Sequence, residues 1–285
     1  MPEGSHHFPV GSIHCTVLSD GYCAYPTSWF FPNADPLALR LALGERRLPQ
    51  EDVLSPLTCL LIETGSHVVL VDAGAGESSR TTGAVRARLD MAGIRPKDVD
   101  TVIITHAHPD HIGGAVDVAG RPAFPNARYI VSELEWEFWT TARTDLRNLR
   151  LPEDTKAEIH STARRTLGPL RHHIEPIGRE CEVVGGVYVI PAPGHTPGHL
   201  AVMVSSDGQS LLNLGDAAVH PLHLEQPEWE NGFDLASDTA AATRRRLLDR
   251  AVAEDMHLMA FHFPFPSIGR VSRGARGGWA WTPGW

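Results

Sequence analysis

Short aliphatic and β-branched runs recur along the chain between turn-forming residues, and their length and composition predict strands. The runs are Ile13–Leu18, Thr58–Ile62, Val68–Val71, Val102–Thr105, Arg128–Val131, Val187–Ile190, Leu200–Val204, Leu211–Leu214 and Leu258–Phe261. Between them the apolar period lengthens to that of a helix over Thr82–Ala92, Ser132–Thr141, Glu153–Thr166 and Asp238–Glu254. The last helix carries Leu247, Leu248, Ala251 and Val252 at helical spacing, with Ser237 placed to cap its start. A duplicated β-then-α pattern without a low-complexity linker predicts an α/β fold, two sheets sandwiched between helices, in one unit over residues 1–285.

One segment departs from the pattern. Tyr22–Pro56 is too long for an ordinary connection, is broken by proline, and carries the dense patch Trp29-Phe30-Phe31-Pro32-Asn33. Its aromatic content argues against disorder. Two readings stay open: a lid or apolar wall in which Trp29, Phe30 and Phe31 meet substrate, or a patch that packs on the core or on a second copy in a homodimer. Trp136, Phe138 and Trp139 lie on a predicted helix and are read as packing residues.

The chemistry gathers where predicted strands end. Thr101-Val102-Ile103-Ile104 reads as a buried strand, and Thr105-His106-Ala107-His108-Pro109-Asp110-His111 follows it. Imidazoles and carboxylates are the nitrogen and oxygen donors that suit zinc and its neighbours. His106 and His108, two apart on an extended backbone, point to one side. Asp110 and His111 fall on the turn into a helix and aim at a second point. Four residues from one turn cannot close two coordination shells, so further ligands must come from other strand ends. Candidates are Gly194-His195-Thr196-Pro197-Gly198-His199 in a Gly/Pro-rich turn, Asp216 after Leu211–Leu214, and His262 after Leu258–Phe261, which Pro264 and Pro266 stop.

From about Ile13 to the C-terminus these residues resemble the metallo-β-lactamase superfamily, with its motifs in order: Val71-Asp72-Ala73-Gly74, then His106-x-His108-x-Asp110-His111, then His195, Asp216 and His262. The resemblance implies a four-layer αββα sandwich and two divalent metals, zinc first and manganese, iron or cobalt as alternatives. It implies one metal on His106, His108 and His195, a second on Asp110, His111 and His262, and Asp216 bridging them. Asp72 and His199 are expected to support the ligands from behind. Gly113 and Gly114 are read as glycines that let the backbone approach the site.

Within the superfamily, Phe261-His262-Phe263-Pro264-Phe265-Pro266-Ser267-Ile268-Gly269 and the aromatic N-terminal segment look most like the acyl-homoserine lactonase and methyl parathion hydrolase-like branch. That implies hydrolysis of a small apolar ester or lactone by a metal-bridging hydroxide, with Asp110 as proton shuttle, a quorum-quenching role and a phosphotriesterase side activity. Many lactonases of the branch place a tyrosine shortly after the bridging aspartate; Asp216-Ala217-Ala218-Val219-His220-Pro221 has none, which makes His220 the candidate donor to the substrate carbonyl. Other classes weighed are a mononuclear iron oxygenase resembling the persulfide dioxygenases and a non-catalytic metal-binding module.

Composition narrows the setting. A formal charge of −9 argues against a nucleic-acid partner and leaves a small molecule as the expected one. No window approaches a membrane span and no signal sequence is read at the N-terminus, so a cytoplasmic address is expected. Cys15, Cys23, Cys59 and Cys181 have no close-spaced pair and read as buried thiols in a reducing compartment. His6 and His7 read as solvated tail.

Overall fold

The computed structural model describes residues 4–142, 144–274 and 277–285. The first sheet has seven strands in spatial and chain order: β1 (Ser5–Val10), β2 (Ile13–Pro26), β3 (Asp52–Thr64), β4 (His67–Val71), β5 (Thr101–Ile103), β6 (Arg128–Ser132) and β7 (Ile174–Ile177). The second, also of seven, holds β8 (Cys181–Val184), β9 (Val187–Pro191), β10 (Leu200–Ser206), β11 (Gln209–Asn213), β12 (His257–Met259), β13 (Ile268–Arg273) and β14 (Trp279–Pro283), again paired in chain order. The helices are α1 (Thr27–Phe30), α2 (Pro36–Glu45), α3 (Val85–Met91), α4 (Pro109–Ile112), α5 (Glu133–Thr140), α6 (Glu153–Leu170), α7 (Leu222–Glu225) and α8 (Ser237–Ala253).

The layering follows from side-chain alternation. Successive residues of a strand point to opposite faces, so a strand buried on both sides must be apolar throughout. In β3, Leu60 and Ile62 face the second sheet with Val69, Val71, Ile103 and Ile130, and meet Val189, Val202, Val204 and Met259 there. Their neighbours Cys59 and Leu61 face the other way, with Leu70, Val102 and Tyr129, onto Leu89 of α3 and Ile159, Ala163 and Leu167 of α6. Ile190, Ala201, Leu212 and Leu258 cover the outer face of the second sheet and pack on Leu247, Leu248 and Ala251 of α8. The result is helix, sheet, sheet, helix.

Each run read as a strand lies in one, with shifted ends: β2 continues to Pro26, and β5 stops at Ile103. Several expectations need correction. His6 and His7 are not tail; they sit in edge strand β1, paired antiparallel with β2, and His7 Nδ1 is 2.9 Å from Thr16 Oγ1. Ser237 is the first residue of α8 and not its cap, since Ala236 holds that place and no side chain caps the helix. At the far edge β14 pairs antiparallel with β13 and closes the second sheet, with Ser272 opposite Ala280. Of the four free cysteines, Cys15 and Cys59 are buried and Cys23 and Cys181 only partly so. No helix among the described residues is long and apolar enough to cross a membrane.

Tyr22–Pro56 is likewise not a long loop. β2 and β3 stay paired out to Pro26 and Asp52, past a register shift between Ser19 and Gly21, and α1 and α2 fill the tip. Its docking is fixed by polar contacts to the segment after β11. Asn33 Nδ2 donates to Glu228 O at 3.0 Å, Gly232 N to Trp29 O at 2.7 Å, and Arg46 pairs with Glu225 at 2.5 Å. This is a wall with many attachments rather than a free lid. Leu37 and Leu41 of α2 face outward, whereas Phe30 and Phe31 are buried.

Parallel pairing sets the position of the site. β4, β5 and β6 run parallel in the first sheet and β11 and β12 in the second, so their carboxyl ends lie at one edge of the sandwich. Crevices at the carboxyl ends of parallel strands are where α/β folds bind ligands.

Candidate metal centre

Five strand ends deliver the ligand-type side chains. Asp72 follows β4, His106 and His108 follow β5, His195 follows β9, Asp216 follows β11, and His262 follows β12; Asp110 and His111 lie on α4. Two glycines allow the close approach. A Cβ on Gly113 would meet Ala75 O at 2.2 Å, and one on Gly114 would meet Ala73 O at 2.2 Å. The loop after β4 therefore lies directly on the turn after α4, and Ala73 N donates to His111 O at 2.8 Å.

Asp216 is at the centre of the cluster. One of its oxygens is 3.3 Å from His111 Nε2; the other is 3.2 Å from His262 Nε2, 3.3 Å from His195 Nε2 and 3.9 Å from His106 Nε2. Asp110 Oδ2 lies 3.4 Å from His262 Nε2 and 4.0 Å from His111 Nε2. Three sets within this cluster are close enough to hold a metal ion: His106, His108 and His195; Asp110, His111 and His262; and His106, His111 and Asp216, which links the first two.

The donor set fits cations on two further grounds. His106 Nε2, His111 Nε2 and Asp216 Oδ1 are buried with no hydrogen-bond partner, an arrangement that costs stability unless something else occupies the space between them. The electrostatics also call for positive charge. Burial holds His106 and His108 well below the ordinary imidazole value, helped by the neighbouring histidines, so both keep a free lone pair. Burial acts the same way on His111, but Asp216, Asp72 and Asp110 outweigh it and raise its pKa well above 6.5; Asp216 and Asp110 raise His262 too. Burial alone would raise Asp216, yet His262 and His111 hold it well below 3.8. The carboxylates draw protons onto two imidazoles, and a bound cation would displace them.

Behind His111, His195 and His262 another group holds the far nitrogen, whereas His108 Nδ1 lies 2.9 Å from His195 Nε2. His111 Nδ1 donates to Asp72 Oδ2 at 2.8 Å, and Asp72 also accepts from Thr105 N at 2.8 Å and Thr105 Oγ1 at 2.9 Å. Asp72 sits at φ 60°, a left-handed conformation that aspartate tolerates better than most residues. His195 Nδ1 donates to Asp234 Oδ1 at 2.9 Å, and His262 Nδ1 is 2.8 Å from Ser55 Oγ and 3.0 Å from Pro56 O. His199 acts on backbone: its Nε2 accepts from Asp216 N at 2.9 Å while Nδ1 donates to Ala192 O at 3.1 Å.

Asp234 and Ser55 were not among the residues singled out in the sequence. Asp234 carries no motif and reaches His195 because the segment after α7 returns past β9, where Leu235 N donates to His195 O at 3.1 Å.

A cavity of about 240 Å³ opens over the cluster, with His108, Asp110, Asp216 and His262 in its floor and Cys23, Tyr25, Phe30, Ile159, Val219 and Phe233 among its walls. Of the three aromatics expected at the substrate, only Phe30 lines it. Phe31 is turned into a satellite core, edge-on to His220 at 5.3 Å and to Trp229 at 5.6 Å, and Trp29 backs Phe233 at 6.0 Å. His220 is also off the wall. Its Nδ1 accepts from Leu222 N at 3.2 Å at the start of α7, and burial, with Arg46 nearby, pulls its pKa down to about 3. Its Nδ1 is engaged by backbone, and the ring is not among the residues that line the cavity, where the carbonyl donor expected of it would stand. Tyr25 does line the cavity, and burial together with Asp110 raises its pKa well above 10, so it stays a hydroxyl donor. Only the β2–β3 pairing brings Tyr25 there.

The metallo-beta-lactamase superfamily model matches residues 54–255. The chain belongs to the metallo-beta-lactamase superfamily. Within it, the chain is similar to the lactonase-like branch. It is 28% identical over 248 residues to an N-acyl homoserine lactonase of a Bacillus species, covering 79% of this chain and 88% of that one. It is 30% identical over 164 residues to an uncharacterized protein, YobT, of Bacillus subtilis, and there it spans 63% of the relative's length and 58% of its own. Among solved structures it superposes with a TM-score of 0.92 and 25% identity on AidC, a dizinc quorum-quenching lactonase in complex with a product, covering 100% of this chain and 98% of that one. The four-layer superfamily fold is thus the fold of this chain, and its His/Asp cluster occupies the carboxyl edge of the sandwich.

Proposed function

We propose that the chain is a dinuclear metal-dependent hydrolase of neutral lactones and esters, with N-acyl homoserine lactones, the substrates its relatives are named for, as the first candidates. The observation that carries this is the Asp216-centred cluster at the floor of a mainly apolar cavity whose lining, among the described residues, includes Asp110, Glu158 and Asp216 but no lysine or arginine. Beyond the cations themselves, a substrate carboxylate or phosphomonoester would find no basic side chain among the described lining residues to hold its charge, and would face Glu158. A neutral ring ester with an apolar tail suits the wall of Phe30, Phe233, Ile159 and Val219. Quorum quenching would follow from that activity.

His106, His108 and His195 would hold one divalent cation and Asp110, His111 and His262 the other, with Asp216 within reach of both sets and zinc as the first candidate. When bound, two divalent cations acidify a shared water and polarise the carbonyl under attack. The chain's own groups do the rest. Asp110 turns Oδ2 toward His262 and His111, leaving Oδ1 to take a proton from the attacking water and return it to the departing ring oxygen. The Tyr25 hydroxyl, at the wall, orients the carbonyl. Phe30 and Phe233 exclude water from the tail. A cytoplasmic setting keeps the four free thiols reduced.

The test is a substrate panel on zinc-reconstituted protein: lactones of rising acyl length, an aryl ester, a neutral phosphotriester, and an anionic β-lactam. Lactones and esters should be turned over, with the phosphotriester slower and the β-lactam at least about a hundredfold lower in kcat/KM. A preference for the anionic substrate would overturn the reading. One iron per chain with oxygen consumption on a persulfide would replace it by the oxygenase alternative.

A further inference from the structure

Glu135 lies on α5, outside every motif, yet it is fully buried and stands between the two histidine loops. Its Oε1 accepts from Ala107 N at 2.9 Å and from Trp139 Nε1 at 2.7 Å. Its Oε2 accepts from Thr196 Oγ1 at 2.6 Å and from Gly198 N at 3.1 Å. Ala107 separates His106 from His108, and Thr196 and Gly198 lie between His195 and His199. One carboxylate therefore clips the loop after β5 to the loop after β9, which come from different sheets.

We propose that Glu135 is the positioning residue of the His106–His108–His195 set, joining its two loops through three of its four donors and fixing the distance between them. The proposal rests on the reading above that this set holds a metal. Residue chemistry supports it: only a carboxylate offers acceptors to four donors without adding a donor of its own. An apolar side chain of the same size would leave Ala107 N and Gly198 N buried and unpaired. The backbone has been shaped to the contact as well. A Cβ on Gly198 would meet Glu135 N at 2.2 Å and Glu135 Cβ at 2.6 Å, so the loop can lie this close to α5 only with glycine there. Leu200 N donates to Thr105 O at 2.9 Å and continues the same seam. The other set, Asp110, His111 and His262, is held through Asp72, Ser55 and Pro56, and none of its residues is among the four donors to Glu135. Thr105 Oγ1 touches both halves, at 3.1 Å from His106 Nδ1 and 3.3 Å from His111 Nδ1, but the four donors to Glu135 all come from α5 and the two loops of the first set.

That separation gives the test. In Glu135→Gln one oxygen still accepts from Ala107 N and Trp139 Nε1, and the Thr196 hydroxyl can turn to accept from the new amide. Gly198 N–H then faces a donor and is lost. Two readouts are taken: amide hydrogen exchange in metal-free protein, and stepwise zinc affinity by chelator competition. Exchange at Gly198 should rise tenfold or more while the amide of His111 is unchanged, and one of the two zinc affinities should fall tenfold or more while the other holds. Thr196→Val keeps the carboxylate and removes a single donor, so it carries the test if the Gln variant does not fold; it should weaken the same zinc by a smaller factor. Equal loss at both zinc sites, or unchanged exchange at Gly198, would make Glu135 an ordinary packing residue and overturn the proposal. The exchange readout needs neither metal nor substrate, so a failure of the hydrolase reading and a failure of this one are distinguishable.

Discussion

Replacing Asp72 with asparagine isolates the effect of one proton. Asp72 accepts from Thr105 N, Thr105 Oγ1 and His111 Nδ1, and the last bond keeps a proton on Nδ1, so that Nε2, which faces Asp216, is the nitrogen that gives up its proton to a cation. Asparagine tolerates the left-handed φ of 60° about as well as aspartate, so the backbone is little disturbed. Its amide has one oxygen. If that oxygen stays on Thr105, the NH₂ faces His111 Nδ1 and forces the ring proton onto Nε2, where it blocks the metal. If the amide flips to restore the tautomer, Thr105 N is buried against a donor, at a cost of about 1–3 kcal/mol. The metal must bear that cost, which corresponds to a loss of roughly 5- to 150-fold in affinity. The loss should fall mainly on the Asp110–His111–His262 site, because His195 has its own acceptor in Asp234 and the other set feels Asp72 only through Thr105 Oγ1, 3.1 Å from His106 Nδ1. Chelator competition on metal-free Asp72→Asn, with circular dichroism to verify folding, measures both sites. Two wild-type affinities in a folded variant would refute the tautomer argument.

Three further outcomes are expected. Asp216→Asn removes the charge that faces His111, His262 and His195, so metal content and turnover should fall together in elemental analysis and a lactone assay; full activity would remove Asp216 from the centre. Phe30→Ala, at the cavity wall, should raise KM for long-chain lactones more than for short ones, whereas Phe31→Ala should lose about 3–5 kcal/mol of stability in denaturant unfolding and leave the substrate ranking alone. The raised His111 and His262 values favour the metal-free fold below their unfolded pKa of about 6.5, and that contribution is lost as pH rises through the folded values. Metal binding releases those protons, so Tm of the metal-free protein should fall above neutral pH while the zinc-induced gain in Tm grows; a pH-independent gain would contradict the assigned charges.

The sequence by itself determined the layers and most of the ligand-type side chains. Runs such as Leu60-Leu61-Ile62 and Val69-Leu70-Val71 are apolar at every position because both faces of their strands are covered, and that is a local property of composition. His106, His108, Asp110 and His111 were legible for a similar reason, since they share one turn and their spacing alone aims them. Edge strands were less so: β1 and β14 are held by pairing to a neighbour, not by a hydrophobic pattern of their own. Tertiary structure alone decided what stands behind and above the centre. Asp234 lies 39 residues from His195, and Glu135 61 residues from Thr196. Tyr25 reaches the cavity only because β2 and β3 stay paired out to Pro26 and Asp52, and the tip of the same hairpin sets Phe31 against His220 of the segment after β11. A ligand must bring a particular donor atom, which restricts residue type and leaves a mark in the sequence. A supporting group need only place an acceptor or a surface at the right point, and many residues could do that from many places in the chain.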